Sequence, residues 1–324
     1  MFNKKEINNT IFNMKSLLLS LTVLISSGAF AQNILNAKSP VELREMREEG
    51  YDIVNGTDTI STAPTVLPYG YIEDKDILWS KVVWEIIDLN EKLNQPYYYS
   101  YEDVTATYMS LYDALFKGID SGNITEVYDD DNFTSRISPE NLQSKIQAIR
   151  ESEWLQDKRA SGEEITAQDL IEGVDHYKTD TRSVKLIKIK GMWYIDKRLG
   201  QMKYRLLGIA PMGPDPQVLG LSEATMLGYQ GDEEMIDLFW IFYPGAREVL
   251  SNCTVYNPKN GSSPITYDDV LNARRFSSII YKSQSEYGDG LISNYIPGDA
   301  KSQLEESNRI KNEILQKENN MWNY

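Results

Sequence analysis

The segment 182–212, RSVKLIKIKGMWYIDKRLGQMKYRLLGIAPM, constrains the fold more than any other stretch of the chain. β-Branched, aromatic and long apolar residues recur through it, which favours extended backbone over helix. It reads as a strand, a tight turn at Lys190-Gly191, and two more strands, an antiparallel meander over about Ser183–Ile209. From Arg182 to Arg205 it carries eight Lys/Arg and one acid, in a chain of 324 residues whose formal net charge is −15. Alternation in the last strand sets Met202, Tyr204 and Leu206 on one face and Lys203, Arg205 and Leu207 on the other, with Trp193 and Tyr194 on the neighbouring strand. The expectation is a basic surface that meets something negative on a protein partner of mixed charge, such as an acidic face of a neighbouring copy, with contact residues Lys185, Lys188, Lys190, Lys197, Arg198, Lys203, Arg205, Trp193 and Tyr204. The alternative is a basic face that is simply solvated.

The N-terminus points to export. Met14-Lys15 precedes an apolar run, Leu17–Ile25, and a small-residue exit at Ala29-Phe30-Ala31. That is the pattern of a secretory signal peptide over residues 1–31, cleaved after Ala31, with translation starting at Met1 or at Met14. No Cys follows the cleavage point, so a lipid anchor is disfavoured. No later run reaches the roughly 18 apolar residues that suggest a spanning helix. The mature chain is more acidic still, because the leader takes three Lys and one Glu with it. Nucleic acid is therefore an unsuitable partner, since phosphate binding needs a net basic face that the rest of the molecule does not oppose. Cys253 is the single cysteine, which excludes an intramolecular disulfide. It reads as a small buried hydrophobe on a strand, against an intermolecular disulfide or a reactive thiol.

Residues 32–70 read as an extended arm, rich in Ser, Thr, Pro and Gly. After it, Trp79, Val82, Val83, Ile86 and Leu93 fall near helical spacing behind Asp76, predicting a helix that ends at Asn94-Gln95-Pro96. Tyr97-Tyr98-Tyr99 suggests a short strand, Tyr101–Lys117 a helix, and Ile124–Tyr128 a brief strand before the turn Asp129-Asp130-Asp131. Ser138-Pro139-Glu140 opens a helix through Trp154, and Thr166 to Asp169 resembles a capping box. Pro211–Pro216 reads as a rigid loop, and Met235–Tyr243 as a buried segment broken by Pro244-Gly245. A turn at Asn257–Pro264, a helix over Thr266–Lys282 and an amphipathic helix over Ser302–Trp322 complete the pattern; Leu304, Ile310, Ile314 and Met321 line one side of that last helix. Ser100–Val104 and Thr266–Val270 echo one another, by duplication into two weakly related halves or by coincidence of good helix-start chemistry.

No catalytic constellation stands out. A zinc site needs several His or Cys ligands, and the chain has His176 and Cys253 alone. His176 reads as a polar loop or strand-edge residue rather than a general base. The acidic turn lacks the alternating spacing of a calcium loop. Prolines interrupt Gly208–Gly213, which removes the donors that a phosphate cradle requires. No cofactor, metal or enzymatic activity is indicated.

Several longer segments resemble a known family. They are Tyr69–Leu78, Trp84–Glu91, Gly122–Tyr128, Trp193–Arg198, Lys203–Ile209, Leu238–Pro244, Ala273–Phe276 and the ending Met321–Tyr324. In order along the chain they are similar to the GldN/PorN family of gliding-motility and type IX secretion proteins of Bacteroidota. The resemblance covers essentially all of the mature chain, although the region from about Ser135 to His176 is shorter than in gliding members. It implies a non-enzymatic subunit at the periplasmic side of the outer membrane. It also implies a ring formed with a GldK/PorK-like lipoprotein, self-association within that ring, and contact with the periplasmic part of a GldM/PorM-like motor protein. The fold expected is α+β, an antiparallel meander packed with several helices. Its core domain would span 71–298, followed by the C-terminal helix over 299–324. A periplasmic chaperone for secreted cargo, using aromatics around Tyr97–Tyr101 and Trp193, is the reading from a different class.

Overall fold

The computed structural model describes Val66 and residues 69–98, 109–162, 165–216, 235–256, 265–285 and 288–321. The chain divides into two compact units. Gly70–Asp74 belong with the N-terminal residues, whereas Tyr69 and the residues from Lys75 onward belong to the second unit, which contains the sheet. Its strands are β1 (Ile77–Asp88), β2 (Gln147–Glu151), β3 (Val174–Lys178), β4 (Leu186–Asp196), β5 (Gln201–Pro214), β6 (Met235–Asp237), β7 (Ile241–Phe242), β8 (Thr254–Val255), β9 (Ile265–Thr266), β10 (Ile279–Ser285) and β11 (Gly288–Leu291). Its helices are α1 (Gln95–Tyr98), α2 (Leu111–Asp120), α3 (Pro139–Ile146), α4 (Glu153–Ala160), α5 (Ala167–Glu172), α6 (Tyr243–Ser251), α7 (Tyr267–Asn272), α8 (Ile292–Tyr295) and α9 (Ala300–Met321). The fold is α+β. One antiparallel sheet runs β11-β10-β1-β4-β5-β6 with β7 also on β5, and β2–β3 and β8–β9 form small separate pairs.

The predicted first helix is instead the central strand β1, bonded to β4 on one side and β10 on the other. Its apolar positions suit helical spacing, but ILWSKVVWEIID is also rich in β-branched and aromatic residues, and long-range pairing decides between the two. The expected turn at Lys190-Gly191 is also corrected. Strand β4 continues through it, and Leu207 forms a bulge where Lys190 faces Gly208 and Gly191 faces Leu206. Glycine is needed at 191 because the Tyr204 ring lies over it; an added Cβ would sit 2.0 Å from the Tyr204 hydroxyl oxygen. Gly191→Ala should therefore cost about 1–3 kcal/mol by overpacking. Urea unfolding checks this, and an unchanged midpoint would contradict it. The real turn is Lys197–Gly200, where Gly200 takes φ +57° and its N–H donates to the Asp196 carbonyl at 2.8 Å. The predicted loop at Pro211 is the far end of β5, where Pro211 lies opposite Ile187.

Local helix-start chemistry is found where it was expected. The Ser138 hydroxyl accepts from the Asn141 N–H, and Thr166 and Asp169 form a reciprocal capping box. The first of these helices ends at Ile146 rather than Trp154, because residues 147–151 pair with β3. The helix from Thr266 likewise stops at Asn272, and Ile279–Ser285 becomes β10 by pairing with β1. Tyr97 and Tyr98 close the short helix α1 rather than forming a strand. The helix expected over Tyr101–Lys117 is described from Leu111, capped by Ser110. In the stretch 124–128 only Tyr128 pairs, as single bridges to Arg136 and Trp240. Pro244-Gly245 does not end the apolar segment but lies in the first turn of α6. The signal peptide, the extended arm up to Thr65, residues 100–104 of the internal echo, the turn at 257–264 and the ending from Trp322 lie outside the described residues.

The main core lies on the sheet face that carries Ile187, Ile189, Leu206 and Ile209, against Leu115 of α2, Leu250 of α6 and Leu271 of α7. Leu238–Tyr243 are all buried, as the apolar segment required. A second cluster seats α9 on the sheet through Ile310 and Ile314, which meet Val83 and Ile280 beside Trp79 and Trp193. Leu304, expected on that apolar side, is 44% exposed.

Candidate functional site

Several cations of the basic strands are matched within the molecule. Lys190 is buried, and its Nζ donates to the Asp131 carbonyl at 2.8 Å and to Asn132 Oδ1 at 3.1 Å. The same ammonium lies 4.8 Å from the Trp84 ring centre, a cation–π arrangement. Burial pulls the Lys190 amine below its ordinary value, against the opposing pull of Asp131. Lys282 of β10 reaches the same turn, 2.6 Å from Asp131 Oδ2. Two lysines thus dock the acidic turn onto the sheet. Within that turn, burial favours the neutral Asp130 carboxyl. Hydrogen bonds from Ser135 and Thr134 outweigh that effect and hold it below the usual carboxylate range.

Lys188 is half-buried and pairs with Asp237 at 2.7 Å. Arg198 is exposed and braces the β4–β5 turn, its Nε 3.3 Å from both Asp76 and Asp196. Arg205, expected on an outer face, is 3% exposed and lies 4.5 Å from the Tyr69 ring centre. Arg247 stands 4.0 Å from that ring and forms two 2.9 Å bonds to Asp268. Asp268 also accepts from the Tyr243 hydroxyl at 2.8 Å. Lys190 and Arg205 are therefore interior cations, which corrects the expectation of both as contact residues on a basic surface. Lys185 and Lys197 are exposed and Lys203 is half-buried; among the described residues none of the three makes an ion pair. Trp193 is half-buried beside α9, and its ring centre lies 5.0 Å from that of Tyr204, which is itself largely covered.

Burial raises the Tyr69 hydroxyl to about 12 and moves those of Tyr97, Tyr112, Tyr243 and Tyr267 upward as well. These groups stay neutral in the folded chain but ionise near pH ~10 once unfolded. Their stabilisation is full below that pH and is lost as pH rises from ~10 toward ~12. The denaturant midpoint should fall over this range. A midpoint that is constant across it would contradict the burial of these rings.

Sequence reasoning missed a second polar centre. Glu85 is 1% exposed and accepts from both terminal nitrogens of Arg274, at 2.9 and 2.7 Å, and from the Ser278 hydroxyl. The Arg274 guanidinium lies 4.1 Å from the Tyr204 ring centre and 5.1 Å from those of Trp193 and Phe276. Arg274 takes φ +50°, a left-handed conformation that non-glycine residues seldom adopt. It lines two cavities, one of about 280 Å³ beneath α9 and one of about 730 Å³ beside α1 and α7. The Ala273–Phe276 segment was the available signal, since it carried part of the family resemblance.

Chemistry of other kinds has little to work with among the described residues. No group of three His, Cys, Asp or Glu is placed to hold a metal ion. His176 lies exposed on β3, its Nδ1 3.0 Å from the Gln147 amide nitrogen. Cys253 is free and half-buried after α6 rather than on a strand, and burial pushes its thiol up. No helix among the described residues is long and apolar enough to cross a membrane.

A search of curated proteins gave no match. The family model for gliding motility associated protein GldN matches residues 72–323, which takes in the sheet, the Glu85–Arg274 pair and α9. The chain belongs to the GldN family, and it is a protein associated with gliding motility and type IX secretion.

Proposed function

We propose that this protein is a non-enzymatic structural subunit on the periplasmic side of the outer membrane. It would build a ring with an outer-membrane lipoprotein and link that ring to an inner-membrane motor protein. The family match over residues 72–323 carries the reading. Two features of the molecule fit it: the interior is braced by charge pairs, and the cations left outward form a small set. The partner-facing residues reduce to Lys185, Lys197, Arg198 and Lys203. Lys188, Lys190 and Arg205 act from inside, and Trp193 and Tyr204 lie beside α9.

The chaperone reading needed exposed aromatics at Tyr97 and Trp193. Tyr97 is buried with its ring in the wall of a groove and Trp193 is half-buried, so neither presents the exposed aromatic face this reading needed. Tyr99–Tyr101 lie outside the described residues.

Native purification of the tagged chain from membranes tests the structural role. Stoichiometric recovery of one lipoprotein and of the motor's periplasmic region is expected. Recovery of unfolded secreted cargo in their place would reject the subunit reading. Charge reversal at Lys185, Lys197 and Lys203 should weaken recovery more at low salt, because exposed charges are screened within about 8 Å at physiological ionic strength.

A further inference from the structure

We propose that the groove bordered by α1, β8 and α7 docks an apolar segment of another protein, a segment that also carries carboxylates. This rests on the reading above, in which the chain works by binding proteins. The groove encloses about 730 Å³, within the range of roughly 300–1,000 Å³ typical of sites that bury a ligand. Tyr97, Val255, Val270 and Phe276 line it with apolar surface. At its border Leu93 is 58% exposed, and Tyr256 is 44% exposed. A concave surface of this character is covered by an apolar occupant at a gain, and left open at a loss.

Charge selects among apolar occupants. Lys92 and Arg275 line the groove, are exposed, and make no ion pair among the described residues. Arg274, deeper in the wall, is already neutralised by Glu85. The lining therefore presents two cations over an apolar floor, in a chain whose net charge is −15. A neutral segment would leave both cations unused and a basic one would be repelled. An acidic apolar segment satisfies the floor and the rim together. A second copy of this chain fits less well. It would bring a whole acidic body against another, whereas a short segment brings only its own carboxylates.

Selection of random peptides displayed on phage against the immobilised full mature chain tests the proposal. Enriched sequences should combine aromatic or branched apolar residues with Asp or Glu. The best peptide, synthesised, should bind Lys92→Glu/Arg275→Glu about tenfold or more weakly than the parent, the order expected for two reversed charges at an interface rim. That variant should keep the parent's unfolding midpoint, since both side chains are exposed. Val270→Trp, which fills the floor, should block binding without any change of charge. Enrichment of sequences lacking acids, no enrichment, or equal binding to all three proteins would each overturn the proposal. So would a concentration-dependent dimer that the double charge reversal dissolves, which would assign the groove to a second copy. The functional reading fails separately: a chain dispensable for secretion that still selects such peptides would keep the groove and lose the role.

Discussion

Glu85→Ala is expected to lower stability by about 3–5 kcal/mol, because it leaves the Arg274 guanidinium uncompensated beneath aromatic rings. Glu85 is almost fully buried, and the side chain of Arg274 is 23% exposed, so water replaces little of the lost attraction. The loss extends beyond one ion pair. The Ser278 hydroxyl also gives up its acceptor. Residues 277–280 then lose a tie that holds them between β1 and α9. Urea unfolding should show a large fall in midpoint. Replacing both partners with apolar residues, as in Glu85→Met with Arg274→Leu, should recover much of it, since a buried pair is often no better than well-packed hydrophobes. A single Glu85→Ala change of less than ~1 kcal/mol would place Arg274 in contact with water, as expected for an exposed pair.

Asp268→Ala should be comparably damaging, about 3–5 kcal/mol, for a related reason. Asp268 accepts from Arg247, Tyr243 and Asn272, and the side-chain Oδ1 of Asn272 in turn accepts from the Tyr69 hydroxyl at 2.6 Å. Removing it takes the two-bonded carboxylate away from Arg247, which shares the Tyr69 ring with Arg205. The two guanidiniums should then separate, and tyrosine fluorescence and the unfolding midpoint should change together. Asp268→Asn keeps one acceptor and should cost less than the alanine variant. Equal losses in the two variants would assign the whole effect to the charge, since Asp268→Asn keeps the shape of the side chain.

The parts of the fold that were legible in the sequence are those fixed by neighbours in the chain. Ser138, Thr166 and Thr266 start helices because a cap bonds to an N–H three residues on, and the pattern is complete within one turn. The C-terminal helix was legible for a similar reason, from its periodic apolar stripe. Strand β1 was not, because its spacing suits either structure until β4 and β10 are known to lie beside it. Charge followed the same rule. Lys190 meets the Asp131 carbonyl from 59 residues away, Lys188 meets Asp237 from 49, and Arg274 meets Glu85 from 189. A local count of cations therefore could not tell Lys188, Lys190 and Arg205, which the fold turns inward, from Lys185 and Lys197, which stay exposed. The acidic turn, read as a solvated loop, is instead held by Lys190 of β4 and Lys282 of β10.

Of the cations expected to meet a partner, Lys185 and Lys197 are exposed without an ion pair among the described residues, Lys203 is half-buried, and Arg198 is exposed but bound to Asp76 and Asp196. The role itself is tested most directly by deleting the gene and scoring one strain for both surface spreading and secretion into the medium. Loss of both, restored by the intact chain, is the predicted result. A deletion strain that spreads and secretes like its parent would contradict it.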